Sequence, residues 1–162
     1  MTPWRCPSLS KEDIEYKGNA DNYILELTET IIPKIEKNLK YKPLYYGIVG
    51  YSLGGLFAIY SLYKTNIFKR IVTGSGSFWY PDFIKFIKNN DLINIPEKIY
   101  ISLGDKEKYS KKEILSTVQD NTEEIFKFYQ SKGLNIFFEL NEGGHFKDNY
   151  LRIAKGIKYI IK

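Results

Sequence analysis

The stretch "GIVGYSLGGLFAIY", Gly47 to Tyr60, decides how the rest of the chain is read. An apolar, β-branched run meets a glycine-flanked serine, and a helix-forming run follows at once, so "GYSLG" fits G-x-S-x-G in the strand–turn–helix setting that this motif requires. A turn this sharp needs small residues on both sides of Ser52, and Gly50 and Gly54, with Gly55 beyond, supply them. The helix starting near Leu53 points its free N–H groups and positive dipole end at Ser52, with the Leu53 amide as an oxyanion donor. Read alone, the same letters describe a tight glycine turn.

Outward from that core the chain alternates. A loop carrying Pro3 and Pro7, without a strand, leads from Asn19 as N-cap into a helix whose stripe is Ile24, Leu27, Ile31 and Ile35, with a kink at Pro33. "LYYGIVG" (44–50) is the first strand, followed by the helix in "SLGGLFAIYSLYK" and the strand in "FKRIVTGSGS". A short helix in "YPDFIKFIKNN" precedes the strand "EKIYISLGD". Capping boxes at Ser110–Glu113 and Asp120–Glu123 predict helix starts there, with Gly133 as the C-terminal stop. "LNIFFEL" is the last strand, and Tyr150, Ile153, Ala154, Ile157 and Ile161 form the buried stripe of a closing helix. This order predicts an α/β fold with about four parallel strands, right-handed crossovers and flanking helices, in one domain over 1–162.

Composition narrows the function. The chain has 162 residues, 43% hydrophobic and 27% charged, enough for a core. Its net charge of +5 is dispersed, with lysines among acids as in "KEKYSKKE", so no basic stripe suggests nucleic acid. With one cysteine, Cys6, and one histidine, His145, neither an internal disulfide nor a thiol-rich or multi-histidine metal site is expected. The opening "MTPWRCPSLS" lacks a signal-peptide core and no apolar run reaches membrane-spanning length, so a cytoplasmic protein without membrane contact is expected.

A serine hydroxyl needs a base, and His145 follows the last strand on the glycine-rich loop of "ELNEGGHF". An acid should lie after the preceding strand to orient that imidazole, where "SLGDKEKY" offers Glu107 and Asp105; Asp82 and Asp120 are the outlying candidates. Phe78, Trp79 and Tyr80, beyond the second strand, are candidates to line a substrate pocket or to fill the core under the loop.

"TPW", "GYSLGGLFA", "GSFWYP", "LGDKE" and "NEGGHFKD" together resemble α/β-hydrolases of the Putative esterase family, which includes esterase D and siderophore esterases. The resemblance implies Ser52 as nucleophile, His145 as base, Glu107 as acid, carboxylic esters (siderophore-type esters among them) as substrates, and a mechanism without metal or organic cofactor. It also implies strands ahead of the nucleophile strand, one of whose loops supplies a second oxyanion donor. Only a loop and a helix precede Tyr45 here, so a truncated hydrolase is expected, lacking the N-terminal part of its sheet. Loss of one such donor costs about 3 kcal/mol. An open edge at 44–50 would then favour self-association or pairing with an N-terminal segment. The alternatives to an active esterase are a weak or inactive fragment needing that segment, and a small-molecule binder built around Trp79.

Overall fold

The computed structural model describes residues 1–9 and 15–162. The opening segment is not wholly loop: β1 (Arg5–Cys6) pairs antiparallel with β2 (Tyr16–Lys17). This ribbon was invisible in the sequence because its supports are tertiary. Gly18, at φ +70°, passes so close that a Cβ would lie 2.4 Å from the Trp4 carbonyl carbon, and Trp4 is seated among Tyr60, Tyr80, Phe83 and Phe86.

The first long helix runs as α1 (Ala20–Leu25), a π-helical stretch (Glu26–Ile31) and α2 (Ile32–Glu36). Pro33 is the physical reason for the irregularity the sequence suggested, since it offers no N–H to the carbonyl four residues back. Asn19 stands at the N-cap position, but its side chain accepts from the Asn22 amide rather than from the backbone.

The remaining elements are β3 (Tyr46–Tyr51), α3 (Leu53–Tyr60), β4 (Phe68–Gly74), α4 (Phe83–Asn89), β5 (Lys98–Gly104), α5 (Glu113–Ser116), α6 (Val118–Ser131), β6 (Ile136–Asn141) and α7 (Asn149–Ile161). Strands β3-β4-β5-β6 form one parallel sheet in that order, with Ile48, Ile71, Ile99 and Ile136 aligned across it. This is the four-stranded α/β sheet the sequence predicted. Strands β4 and β5 are buried on both faces, as expected of near-continuous apolar runs. Strand β3 stands at the edge of the sheet as described.

One core cluster joins Leu56 and Ile59 of α3 and Ile125 and Tyr129 of α6 to Ile71, Ile99 and Ile101 of the sheet. A second, smaller cluster places Ile160 of α7 against Val72 and Tyr100. Two expectations about helices fail. Helix α6 starts at Val118, so Asp120 lies inside it, and α5 is preceded by Lys112, whose amide takes the Ser110 hydroxyl as acceptor; neither capping box forms. On α7 the expected buried stripe is largely outside: Tyr150 is 69% and Ile161 61% exposed, whereas Arg152, Gly156 and Ile160 face inward. Gly156 explains the rotation. A Cβ there would lie 2.5 Å from Val72 Cγ1 and 2.7 Å from Tyr100 Cδ1, so the helix lies closest to the sheet along its glycine. Gly133, at φ +76°, ends α6 as predicted.

Candidate active site

Ser52 occupies the single residue between β3 and α3, at φ 55° and ψ −121°, a conformation that L-residues adopt only under constraint, at a cost of about 1–3 kcal/mol. The constraint is backbone. The Ser52 N–H donates to the Gly74 carbonyl (2.9 Å), and its own carbonyl accepts from Leu56 (3.1 Å) and Ser77 (3.0 Å).

The glycines divide differently from the sequence reading. A Cβ on Gly50 would stand 2.0 Å from the Gly54 oxygen, and one on Gly55 2.4 Å from Thr73 Oγ1, yet Gly54 itself faces open space. The small-residue requirement therefore belongs to Gly50 and Gly55. Gly50→Ala is expected to lower stability by about 3 kcal/mol, with a melting temperature roughly 10 °C lower, because rigid backbone must yield. Gly54→Ala should be neutral or stabilising by up to about 1 kcal/mol, since it replaces a helical glycine. Thermal unfolding followed by circular dichroism distinguishes the two.

The strand ends gather the other groups. His145 lies between β6 and α7, with Nε2 3.2 Å from Ser52 Oγ and Nδ1 2.7 Å from Glu107 Oε2. Glu107 opens a 3₁₀ turn after β5, and its other oxygen, Oε1, accepts from Ser75 Oγ (2.6 Å), the Gly104 amide (2.8 Å) and Arg152 Nη1 (3.3 Å). Burial pushes the Glu107 carboxyl up, but the hydrogen bonds from His145, Ser75 and Gly104 outweigh it and hold the group below the ordinary carboxylate range. Beside His145 the site therefore carries a fixed negative charge.

Asp105, the rival acid, turns away from the imidazole: its Oδ1 accepts from the Gly143 amide (2.8 Å) and shapes the histidine loop. Gly143 needs its φ of +105° for that loop. Asp82 begins α4 in a left-handed conformation and Asp120 is exposed on α6. The turn leaving Gly104 carries the third residue, Glu107, back under the strand end, where Oε1 takes the Gly104 amide itself.

Leu53, first residue of α3, has an N–H with no intrahelical acceptor, and its side chain lines a cavity of ≈ 330 Å³ that opens at Ser52 and His145. Tyr16, Trp79, Leu115, Val118 and Phe146 supply much of the remaining wall. Of the three aromatic candidates only Trp79 reaches this cavity. Phe78 (0% exposed) stacks on Phe83, and Tyr80 (2%) donates its hydroxyl to the Trp4 carbonyl, so both belong to the core. Successive residues of the turn after Ser77 point in different directions, which composition alone does not reveal.

Four polar side chains beneath the site, Tyr51, Ser75, Ser77 and Arg152, are not singled out by the sequence. The Tyr51 hydroxyl donates to the His145 carbonyl and lies 3.0 Å from Ser75 Oγ. Burial raises the Tyr51 pKa, partly offset by Ser75 and Arg152, so the phenol stays protonated. Ser77 Oγ is 3.3 Å from Ser52 Oγ. Only the position of Tyr51 inside the G-x-S-x-G motif offered a signal. Among the described residues, no group of three or more His, Cys, Asp or Glu side chains is arranged to hold a metal ion, and no helix is long and apolar enough to cross a membrane.

The model of a family described as "Putative esterase" matches residues 1–150. The uncharacterized protein YbbA of Bacillus subtilis (strain 168) is 30% identical over 135 residues, which is 82% of this chain and 54% of that protein. The ferri-bacillibactin esterase BesA of the same organism is 25% identical over 155 residues, 89% of this chain and 52% of that one. Among solved structures, an IroE-like serine hydrolase from Shewanella oneidensis superposes with a TM-score of 0.81 at 18% identity, covering 98% of this chain and 54% of that one. The chain thus spans about half the length of the curated relatives it matches.

Proposed function

We propose, from the premise that the chain belongs to the Putative esterase family, that it hydrolyses carboxylic esters through an acyl-enzyme on Ser52. The observation that carries this reading is the unbroken line from Ser52 Oγ to His145 Nε2 (3.2 Å) and from Nδ1 to Glu107 Oε2 (2.7 Å). In the first half-reaction Ser52 Oγ bonds to the ester carbonyl carbon as its proton passes to His145 Nε2. The imidazolium then protonates the departing alkoxide. In the second, His145 takes a proton from water, which attacks the acyl carbon and returns Ser52 as the free hydroxyl. Glu107, already ionised, keeps the Nδ1 proton in place and offsets the imidazolium charge. The Leu53 amide, at the positive end of α3, faces the developing oxyanion.

The aromatic and aliphatic wall of the cavity suits an uncharged acyl or aryl group, and the relative named as a ferri-bacillibactin esterase makes siderophore-type esters a class to assay alongside simple ones. A burst of p-nitrophenol from p-nitrophenyl acetate, together with covalent labelling by a fluorophosphonate, is the expected result; no labelling would end the proposal. Trp79→Ala is expected to raise KM for p-nitrophenyl butyrate about tenfold with kcat changed less, because it removes apolar wall and not chemistry. Initial-rate kinetics read both constants.

The edge position of β3, with a match to about half of each relative's length, favours a second reading. In it the chain reaches full rate only with a further polypeptide hydrogen-bonded along β3. Ester hydrolysis that rises when a polypeptide matching the rest of those relatives is added would select this reading over the first.

A further inference from the structure

Arg152 rises from α7 with only 1% of its surface exposed, where an unpaired guanidinium would cost several kcal/mol. Its Nη1 donates to Glu107 Oε1 (3.3 Å). Its Nη2 faces the Tyr51 hydroxyl (2.7 Å), the His145 carbonyl (3.1 Å) and the Gly144 carbonyl (3.3 Å). The same fork thus touches the carboxylate that holds the imidazole and the backbone that carries it. Its Nε, also buried, has no partner. Four acceptors from three separate elements therefore converge on the two terminal nitrogens of one side chain. The guanidinium is placed by what its two terminal nitrogens must reach.

The loop it grips needs such a hold. His145 sits partly in solvent between Gly144 and the exposed Phe146, and its ring is located by two hydrogen bonds, one of them to the nucleophile. Gly156, one turn further along the same face of α7, lets the helix come close enough to the sheet for Arg152 to reach Tyr51 and Glu107.

We propose that Arg152 is the positioning residue of this site: it clamps the main chain of His145 to the Glu107 carboxylate, so that Nε2 is kept within reach of Ser52. The proposal rests on the roles assigned above to Ser52, His145 and Glu107. A displacement of about 1 Å in such a site costs on the order of a hundredfold in rate. Lysine retains the buried charge but lacks the planar fork, so it cannot span acid and loop together.

The chain has one histidine, so its imidazole can be followed without turnover by NMR of protein labelled with ring-¹⁵N histidine. The wild type is expected to show an Nδ1–H proton protected from exchange by Glu107. In Arg152→Met and Arg152→Lys that proton should exchange rapidly with water, and kcat for p-nitrophenyl acetate should fall about a hundredfold with KM within about threefold. Guanidinium chloride should restore part of the rate to Arg152→Ala. A folded Arg152→Met protein that keeps both the protected proton and kcat within about threefold of wild type overturns the clamp. If Arg152→Met does not fold, the same two measurements on Arg152→Lys decide. Absence of fluorophosphonate labelling in the wild type would remove the esterase reading alone, because the imidazole signal still decides whether Arg152 holds His145.

Discussion

Ser52→Ala is expected to abolish fluorophosphonate labelling and to cut kcat for p-nitrophenyl esters by about 10⁴-fold or more, the scale on which removing the nucleophile of a coupled serine site acts. Several features make this the largest effect. In the proposed mechanism this hydroxyl alone forms the covalent bond, and it is the one His145 Nε2 meets, at 3.2 Å, with Ser77 Oγ a further 3.3 Å beyond it. The fold should tolerate the change, since the contacts that fix position 52 run through its backbone N–H and carbonyl. Unchanged thermal unfolding combined with lost labelling is therefore the expected pair. Labelling retained at full rate would place the nucleophile elsewhere.

Glu107→Gln follows in size, with kcat expected to fall by about 10³–10⁴-fold while KM changes little. The neutral amide no longer balances an imidazolium, and it can present its NH₂ to Nδ1, which turns the ring proton toward the wrong nitrogen. Part of this loss is specific to the buried setting, where the other oxygen must also receive the Ser75 hydroxyl, the Gly104 amide and Arg152. Asp105→Asn is the control on the neighbouring carboxylate. Its contact is with the Gly143 amide, which an asparagine carbonyl can also accept, so a loss of less than about tenfold is expected. Steady-state kinetics on the two variants assign the acid; a larger loss in Asp105→Asn than in Glu107→Gln would reverse the assignment.

The strands and the Ser52 turn were legible because each is written locally: β-branched apolar runs, a serine between glycines, and an apolar helix directly after. That Glu107 and His145 come together beside Ser52 was legible for a similar reason, as each lies on the first loop after its strand. Local letters failed where a residue's environment comes from far along the chain. Arg152 meets Tyr51 across 101 positions and Glu107 across 45, so nothing near it in sequence signals burial. The same blindness misjudged α7, whose apolar stripe looked like the inner face while an arginine and a glycine occupied it. For Phe78 and Tyr80 the aromatic character was read correctly, but the direction each ring takes in a tight turn depends on Trp4 and Phe83, which only the folded chain brings near.

The all-parallel order of the sheet has a consequence in time. No two neighbouring strands are joined by a tight hairpin, so every rung of the ladder, from Ile48–Ile71 to Ile99–Ile136, closes a long stretch of chain before it returns any enthalpy. Ser52 and His145 are separated by 93 positions. Topologies of this kind refold slowly for their size, and the closure that brings the imidazole to the serine is among the longest in the chain. A chain recovering from denaturant is therefore expected to regain helical signal before Ser52 and His145 come together.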